Sequence, residues 1–283
     1  MARLRFTKMH GLGNDYVYID AFAQRVRDPV ALARRVSPRH TGVGSDGVIL
    51  ICPSSVADCR MEMYNADGSR GQMCGNGIRC VGKYAYDHGL ARRNPLRVET
   101  DAGIKELQLQ LQNGRVEQVT VDMGEPILDG PRIPIAAEGR VIGAHLEVAG
   151  TSYRVTCVSM GNPHCVVFVE DVAPLALERI GPPFEHHPFF PQRVNTEFIQ
   201  VIGAHEVRMR VWERGSGETE ACGTGACAAV VAGVLNGKHE RRATVHLRGG
   251  DLDIEWRAAD DHVMMTGPAT EVFNGELGEL EAE

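Results

Sequence analysis

The chain repeats itself once. Gly13-Asn14-Asp15 leads into the run Tyr16-Val17-Tyr18-Ile19, and Gly161-Asn162-Pro163 leads into His164-Cys165-Val166-Val167. Asn14 precedes Cys74 by 60 residues and Asn162 precedes Cys222 by 60, which sets the offset between the copies at 148. At that offset Asp46-Gly47-Val48-Ile49 falls on Val194-Asn195-Thr196-Glu197, Asn65 falls on Glu213, and Gly68 on Ser216. Self-similarity of this kind limits the fold before any residue is given a role. The tails correspond as well. Leu107, Leu109 and Leu111 alternate up to Asn113-Gly114, then Val116, Val119 and Val121 follow, which reads as a hairpin with an Asn-Gly turn. Thr244 to Leu247, Gly249-Gly250, and Leu252, Ile254 and Trp256 read the same way, and a turn at Asp260-Asp261 leads to Val263-Met264-Met265. The expected class is therefore α+β, with two pseudo-symmetric αβ domains. Each is expected to be an antiparallel, barrel-like sheet around a central helix. The expected boundaries are 1–123 and 124–268, near Met123-Gly124-Glu125-Pro126, with 269–283 packing back on the first domain.

Each copy contains one helix opened by Cys-Gly-x-Gly. Ala226 to Leu235 is apolar on nearly every face, the pattern of a fully buried helix, and Gly237 is placed to stop it. Ile78 to Asp87 is more amphipathic, with Ile78, Val81 and Ala85 at helical spacing. At 283 residues the chain can bury a real core in either one domain or two. Acidic residues outnumber basic ones, 37 to 30, with no basic run, so nucleic acid and anionic membranes are poor partners. The longest apolar run covers half a bilayer, so no transmembrane helix is expected. Met1 to His10 lacks an apolar core of the signal-peptide kind, and a cytoplasmic location is expected.

Eight cysteines stand at 52, 59, 74, 80, 157, 165, 222 and 227, none spaced C-x-x-C. A zinc ribbon or redox pair is thus not indicated, and no metal site is expected. Without an export signal a disulfide framework is not expected either. The default for each is a small buried apolar residue. Cys74 and Cys222 depart from that default. Each is followed by Gly-x-Gly and a helical stretch, so its sulfur sits at the positive end of a helix dipole, which favours thiolate. The glycine-rich turns let backbone amides approach a carboxylate.

A pseudo-two-fold repeat brings equivalent residues face to face. Two thiols so arranged suit a reaction in which an α-proton leaves one face of a carbon and another arrives at the opposite face. That inverts a stereocentre, one sulfur serving as base and the other as acid. A thiol, with an ordinary pKa of about 8.5, can be tuned for both roles. No cofactor is required. Of the four lysines, at 8, 83, 105 and 238, none has a pyridoxal-site context.

These residues resemble a known family. Lys8-Met9-His10-Gly11-Leu12-Gly13-Asn14-Asp15, Asn65-Ala66-Asp67-Gly68, Cys74-Gly75-Asn76-Gly77, Ser159-Met160-Gly161-Asn162-Pro163-His164, and the segment from Glu213-Arg214 to Cys222-Gly223-Thr224-Gly225 look like the diaminopimelate epimerases. The likeness runs in order from about Phe6 to Gly275, and the last segment is the most specific. It implies the diaminopimelate epimerase fold and interconversion of LL- and meso-diaminopimelate without pyridoxal phosphate, in lysine and cell-wall precursor synthesis. It implies Cys74 and Cys222 as acid and base, with His164 and Glu213 tuning them. Gly75, Asn76, Gly223 and Thr224 would serve the reacting α-carboxylate end. Asn14, Asn65, Asn162, Asn195, Glu213 and Arg214 would bind substrate, Arg214 through its planar fork. A homodimer is left as an open expectation. One position departs: some members carry Gln after the Asp of the Gly-x-Gly-x-Asp segment, whereas Gly47 follows Asp46 here, which puts one distal contact in doubt.

Plainer readings stand beside these. Asn14, Asn65, Asn162 and Asn195 also suit turns or loop caps. Arg214 also suits a solvated surface, Glu213 a strand end, and His164 a satisfied core position. His10 is read as part of the first turn and His186-His187 as a solvated, Pro-rich loop. The rival enzyme is a proline or hydroxyproline racemase of the same fold, whose first motif reads Cys-Gly-His where this chain has Asn76. A cysteine hydrolase leaves the second motif unexplained. A binding module without catalysis would tolerate loss of either Cys.

Overall fold

The structure, a computed structural model, describes residues 3–278. It divides into two compact units, the first 3–121 with 267–278 and the second 122–266. Residues 279–283 of the segment expected to return to the first unit lie outside the described residues.

The first unit begins with β1 (Leu4–Gly11) and β2 (Asn14–Asp20), an antiparallel hairpin in which Gly11 pairs with Asn14. Leu12 and Gly13 form its two-residue turn, both at positive φ (57° and 86°), the twist a tight hairpin prefers. α1 (Pro29–Val36) then carries the chain over to β3 (Gly47–Cys52), which lies parallel to β2. Asp28 caps α1 and Pro29 opens it, the usual start for so short a helix. β4 (Cys59–Asn65) runs antiparallel to β3, and the short β5 (Arg70–Gly71) follows. α2 (Gly75–Asp87) crosses to β6 (Leu96–Thr100), parallel to β4. β7 (Gly103–Gln112) and β8 (Arg115–Asp122) complete a meander around the expected Asn113-Gly114 turn.

The second unit repeats this order. β9 (Ala144–Val148), β10 (Thr151–Ser159) and β11 (Pro163–Phe168) are antiparallel. α3 (Leu177–Glu185) crosses to β12 (Asn195–Gly203), parallel to β11. β13 (Glu206–Glu213) and the short β14 (Gly217–Glu218) follow, and α4 (Gly223–Leu235) crosses to β15 (Arg242–Leu247), parallel to β13. β16 (Gly250–Trp256) and β17 (Val263–Pro268) close the meander. In the first unit β18 (Thr270–Leu277) pairs with β1 as β9 pairs with β10.

The 148-residue offset holds at the level of register. Val17 faces Val48 across β2–β3, and Cys165 faces Thr196 across β11–β12, each partner displaced by the same interval. The two-unit α+β class stands. Within it, the sheets are mixed, where alternation alone suggests antiparallel strands. Each unit has two parallel junctions, and each junction is bridged by a helix, as parallel neighbours require. α3 also replaces part of the expected loop. Pro182 and Pro183 lie inside it, late in a nine-residue helix. Its apolar residues Leu177 and Phe184 are drawn into the core with Phe198.

Each central helix packs on the strands of its own unit: α2 on β1, β2, β3, β4, β6 and β7, and α4 on β10, β11, β12, β15 and β16. α4 is wholly apolar from Ala226 to Ala232, and every residue of that stretch is buried. Ala keeps its helix propensity high and lets the strands come close. In α2, Ile78, Val81 and Ala85 form the buried stripe that the spacing predicts. Arg79 is also fully buried and donates to the Gly75 and Pro268 carbonyls at 3.1 Å each. Nothing in the periodicity distinguishes this Arg from a solvated one. Among the described residues no helix is long and apolar enough to cross a membrane.

Candidate active site

In the first unit the site is built at the N-terminus of α2. Cys74 occupies the capping position in extended conformation, and its sulfur accepts the Gly77 N–H at 3.4 Å. The helix dipole is therefore directed at the sulfur, the arrangement that favours negative charge there. The thiol donates to Asn14 Oδ1 at 3.3 Å. Asn14 begins β2, directly after the tight turn, and its Nδ2 donates to Asp46 Oδ2 at 2.7 Å. Asp46 thus orients the amide so that its oxygen meets the thiol. The same carboxylate accepts the Asp15 N–H at 3.0 Å and is paired with Arg39 at 2.9 Å. Tyr16 is buried and shares hydrogen bonds with Asn14 and Cys74. Burial, then the nearby Cys74 and Asp46, hold its phenol well above its ordinary pKa and thus neutral.

In the second unit Cys222 caps α4 in the same extended conformation and is buried. Its sulfur lies 3.5 Å from Thr224 Oγ1 and accepts from the Gly225 N–H. Glu213, at the end of β13, shares hydrogen bonds with Thr219 and Cys222. Burial pushes the Cys222 thiol well above its ordinary range, and the charges of Glu213 and Glu197 push it further. Burial also raises Glu213, against the hydrogen bonds from Thr219 and Cys222. Glu197 and His164 are both fully buried, with Nδ1 of the imidazole 2.7 Å from Glu197 Oε1 and Nε2 3.0 Å from Asn162 Oδ1. A Cβ at position 225 would stand 2.6 Å from Glu197 Oε1 and 3.2 Å from the Cys222 sulfur, so only Gly admits both.

The two half-sites share a backbone and differ in charge. Where the second unit has His164, Glu197 and Glu213, the first has Tyr16, Ile49 and Asn65 at the same offset. The Cys222 thiol is flanked by carboxylates, whereas in the first unit the Asp46 carboxylate is linked to Cys74 through Asn14. Setting the two copies side by side shows this divergence in the sequence, as polar or charged residues opposite apolar or neutral ones. Tyr16 and Glu197 carry no other signal there. Asp46 carries none, because its role is to orient Asn14.

The remaining expected residues divide. Gly75, Asn76 and Gly223 open their helices, all three buried. Asn195 is buried, and its Oδ1 accepts the Arg214 N–H at 2.9 Å. The Arg214 guanidinium is exposed and donates to the Gln192 carbonyl at 3.0 Å. Glu185, which no sequence pattern singles out, holds both sides of this segment, accepting from Trp212 Nε1 at 2.8 Å and Gly215 N–H at 2.9 Å. Asn65 donates to Ser69 Oγ at 2.9 Å within its own turn. Gly47 has a steric cause: a Cβ there would lie 2.1 Å from the Tyr64 carbonyl oxygen, so a Gln would have to displace β4. His10 accepts the Gly13 N–H in the first turn, His186 is exposed, and His187 is half-buried with Nε2 against the Glu147 carbonyl. Among the described residues, no three His, Cys, Asp or Glu are grouped as a metal would need.

The raised Glu213 carboxyl has a measurable consequence. Below the ordinary glutamate range both folded and unfolded chains hold this proton, and burial costs nothing. As pH rises, the unfolded chain ionises first, so stability is lost until the folded carboxyl ionises too. Glu213→Gln removes that loss and keeps an oxygen for Thr219. Its melting temperature is expected to exceed wild type at pH 7 to 8, with the difference closing toward pH 4. A constant difference across pH would contradict the assignment.

The sequence model of the diaminopimelate epimerase family matches residues 6–128 and 156–272. The chain is 56% identical over 275 residues to the diaminopimelate epimerase of Acetivibrio thermocellus, covering 97% of this chain and 98% of that protein. It is 54% identical over 275 residues to that of Methanococcus maripaludis, covering 97% and 99%. Among solved structures, it is similar to a hydroxyproline epimerase from Agrobacterium vitis with TM-score 0.70 at 17% identity, covering 97% of this chain and 92% of that one. It is also similar to a Bacillus anthracis phenazine biosynthesis protein of the PhzF family, with TM-score 0.69 at 17% identity, covering 99% and 100%. These last two likenesses are of fold alone.

Proposed function

The chain belongs to the diaminopimelate epimerase family, and from that premise we propose how its residues carry out the reaction. The enzyme is an isomerase that converts LL-diaminopimelate to meso-diaminopimelate, a step in lysine and peptidoglycan precursor synthesis. Its mechanism is two-base and independent of pyridoxal phosphate, with Cys74 and Cys222 as the acid and base. The observation that carries this reading is a pair of thiols at equivalent helix N-termini of two repeated units, the Cys222 thiol held protonated by burial and two carboxylates.

Cys222 is the resting acid. Burial and two carboxylates keep its proton on, so it has one to give. Cys74 is the base: its thiol first loses to solvent the proton it donates to Asn14, and the resulting negative charge is favoured by the helix dipole and the Gly77 N–H. In this direction the Cys74 thiolate takes the α-proton, and the C–H electron pair stays on the α-carbon and spreads into the carboxylate. Backbone amides at the two helix starts, with Asn76 and Thr224, stabilise that charge. The Cys222 S–H then protonates the opposite face, leaving a Cys74 thiol and a Cys222 thiolate. The reverse reaction starts from that Cys222 thiolate; in resting enzyme, where Cys222 is protonated, the proton must leave first. Glu213, hydrogen-bonded to it and raised toward neutrality, is suited to receive it. Asn14, Asn65, Asn162, Asn195 and Arg214 hold the rest of the substrate, and Arg214 pairs with a carboxylate. The hydrogen bonds Asn65, Asn195 and Arg214 make here are to their own unit, so substrate would exchange for some of them.

Absence of a cofactor accords with the lysines: Lys8 is paired with Asp15 and the Gly44 carbonyl, and Lys83 with Asp87 and the Val116 carbonyl. The working assembly is proposed to be a homodimer, for which the exposed Val272 and Phe273 of β18 offer apolar surface. The test of the whole reading is conversion of LL- to meso-diaminopimelate by protein freed of pyridoxal phosphate, with no racemisation of proline. Activity that appears only on adding pyridoxal phosphate would overturn it.

A further inference from the structure

We propose that Glu197 is a positioning residue for His164, holding Nδ1 protonated and so fixing the ring with Nε2 presented to Asn162 in the second half-site. This rests on reading His164 as a functional residue of the second half-site. The geometry is specific. Glu197 Oε1 lies 2.7 Å from Nδ1, both side chains are wholly shielded from water, and Nε2 is turned toward Asn162 at 3.0 Å. A carboxylate accepts hydrogen bonds and does not donate, so Nδ1 must carry a proton. The groups facing Glu197 are His164 and Cys165 from β11, Glu213 from β13, and Cys222 at the start of α4. Of these only His164 can be cationic.

The repeat supplies an independent reason to assign this pair to function and not to packing. The same backbone positions in the first unit hold Ile49 and Tyr16, so the fold does not require a carboxylate and an imidazole there. Burying a carboxylate and an imidazole where an isoleucine and a tyrosine fit is costly. Glu197 Oε2 is buried without a hydrogen-bond partner among the described residues, a further cost that packing alone would not retain. Gly225 leaves the space above Glu197 open, where any side chain would press on the carboxylate.

Glu197→Ile installs the residue of the first unit and removes the acceptor, whereas Glu197→Gln keeps an oxygen in place. With diaminopimelate as substrate, Glu197→Ile is expected to lower kcat roughly 10- to 100-fold, as losing the partner that orients a metal-bound histidine does. KM should stay within about twofold, because Arg214 is untouched, and Glu197→Gln should recover part of the loss. In wild-type protein labelled with 15N-histidine, the signal absent from His164→Asn should show a protonated Nδ1. Glu197→Ile with kcat within about twofold of wild type would overturn the proposal, as would an unprotonated Nδ1, which is read without any variant at position 197. Full activity in His164→Asn would instead remove the reading on which the proposal rests.

Discussion

Cys74→Ala and Cys222→Ala are each expected to lower the rate of epimerisation by about 10³- to 10⁴-fold, the upper range for loss of a positioned acid or base. The two losses should be of similar size although the residues differ in burial, because inversion needs both a proton taken and a proton given. Stability should fall for different reasons. Cys222 is buried, with its sulfur beside Thr224, so Ala there leaves a void where the sulfur was. Cys74 is half-buried and caps its helix through Gly77, so Ala there gives up a cap. The variants are compared by chiral chromatography of the product, with melting temperatures measured alongside. Retention of more than about a tenth of the wild-type rate in either variant would exclude the pair as acid and base.

Arg214→Ala is expected to reduce kcat/KM by roughly 10²- to 10³-fold. Each hydrogen bond to a charged group is worth about 1.5–3 kcal/mol, and a guanidinium can make two to one carboxylate. Most of the change should be in KM, since a residue with the proposed binding role holds the substrate in ground and transition states alike. Lys should restore only part of it, having the charge without the planar fork. The melting temperature should hardly move, because the guanidinium is exposed and its backbone position is fixed by Asn195 and Glu185, which remain. An unchanged KM would assign Arg214 to the surface.

The repeat makes the architecture legible. Two units, two helices opened by Cys-Gly-x-Gly, and the Asn113-Gly114 hairpin can all be read from spacing, because each is a local pattern that tertiary contacts reinforce. The parallel junctions are not legible, since strand direction depends on what the connecting segment does, and α3 hides its helix behind Pro182 and Pro183. Cys74 and Cys222 stand out because Gly-rich helix starts are rare and paired. Glu197, Tyr16, Asp46 and Glu185 do not. They act by holding another side chain or a segment in place, and each has a partner distant in sequence, as with Glu185 and Trp212 or Tyr16 and Cys74. Family resemblance marks Asn195 and Asn65 as substrate contacts. Their observed hydrogen bonds, to Arg214 N–H and to Ser69, show that an Asn at such a position can also shape the loop that carries the chemistry.

The central claim is that different thiols handle the proton removed and the proton delivered. Incubating the enzyme with LL-diaminopimelate in deuterium oxide, and stopping at early conversion, tests it most directly. With two bases, the meso product carries deuterium at the inverted carbon, supplied by the exchanged Cys222 thiol, while recovered LL substrate keeps its α-protium. Product that retains the substrate's own proton, or recovered substrate that has exchanged as fast as product forms, would mean that a single base serves both faces.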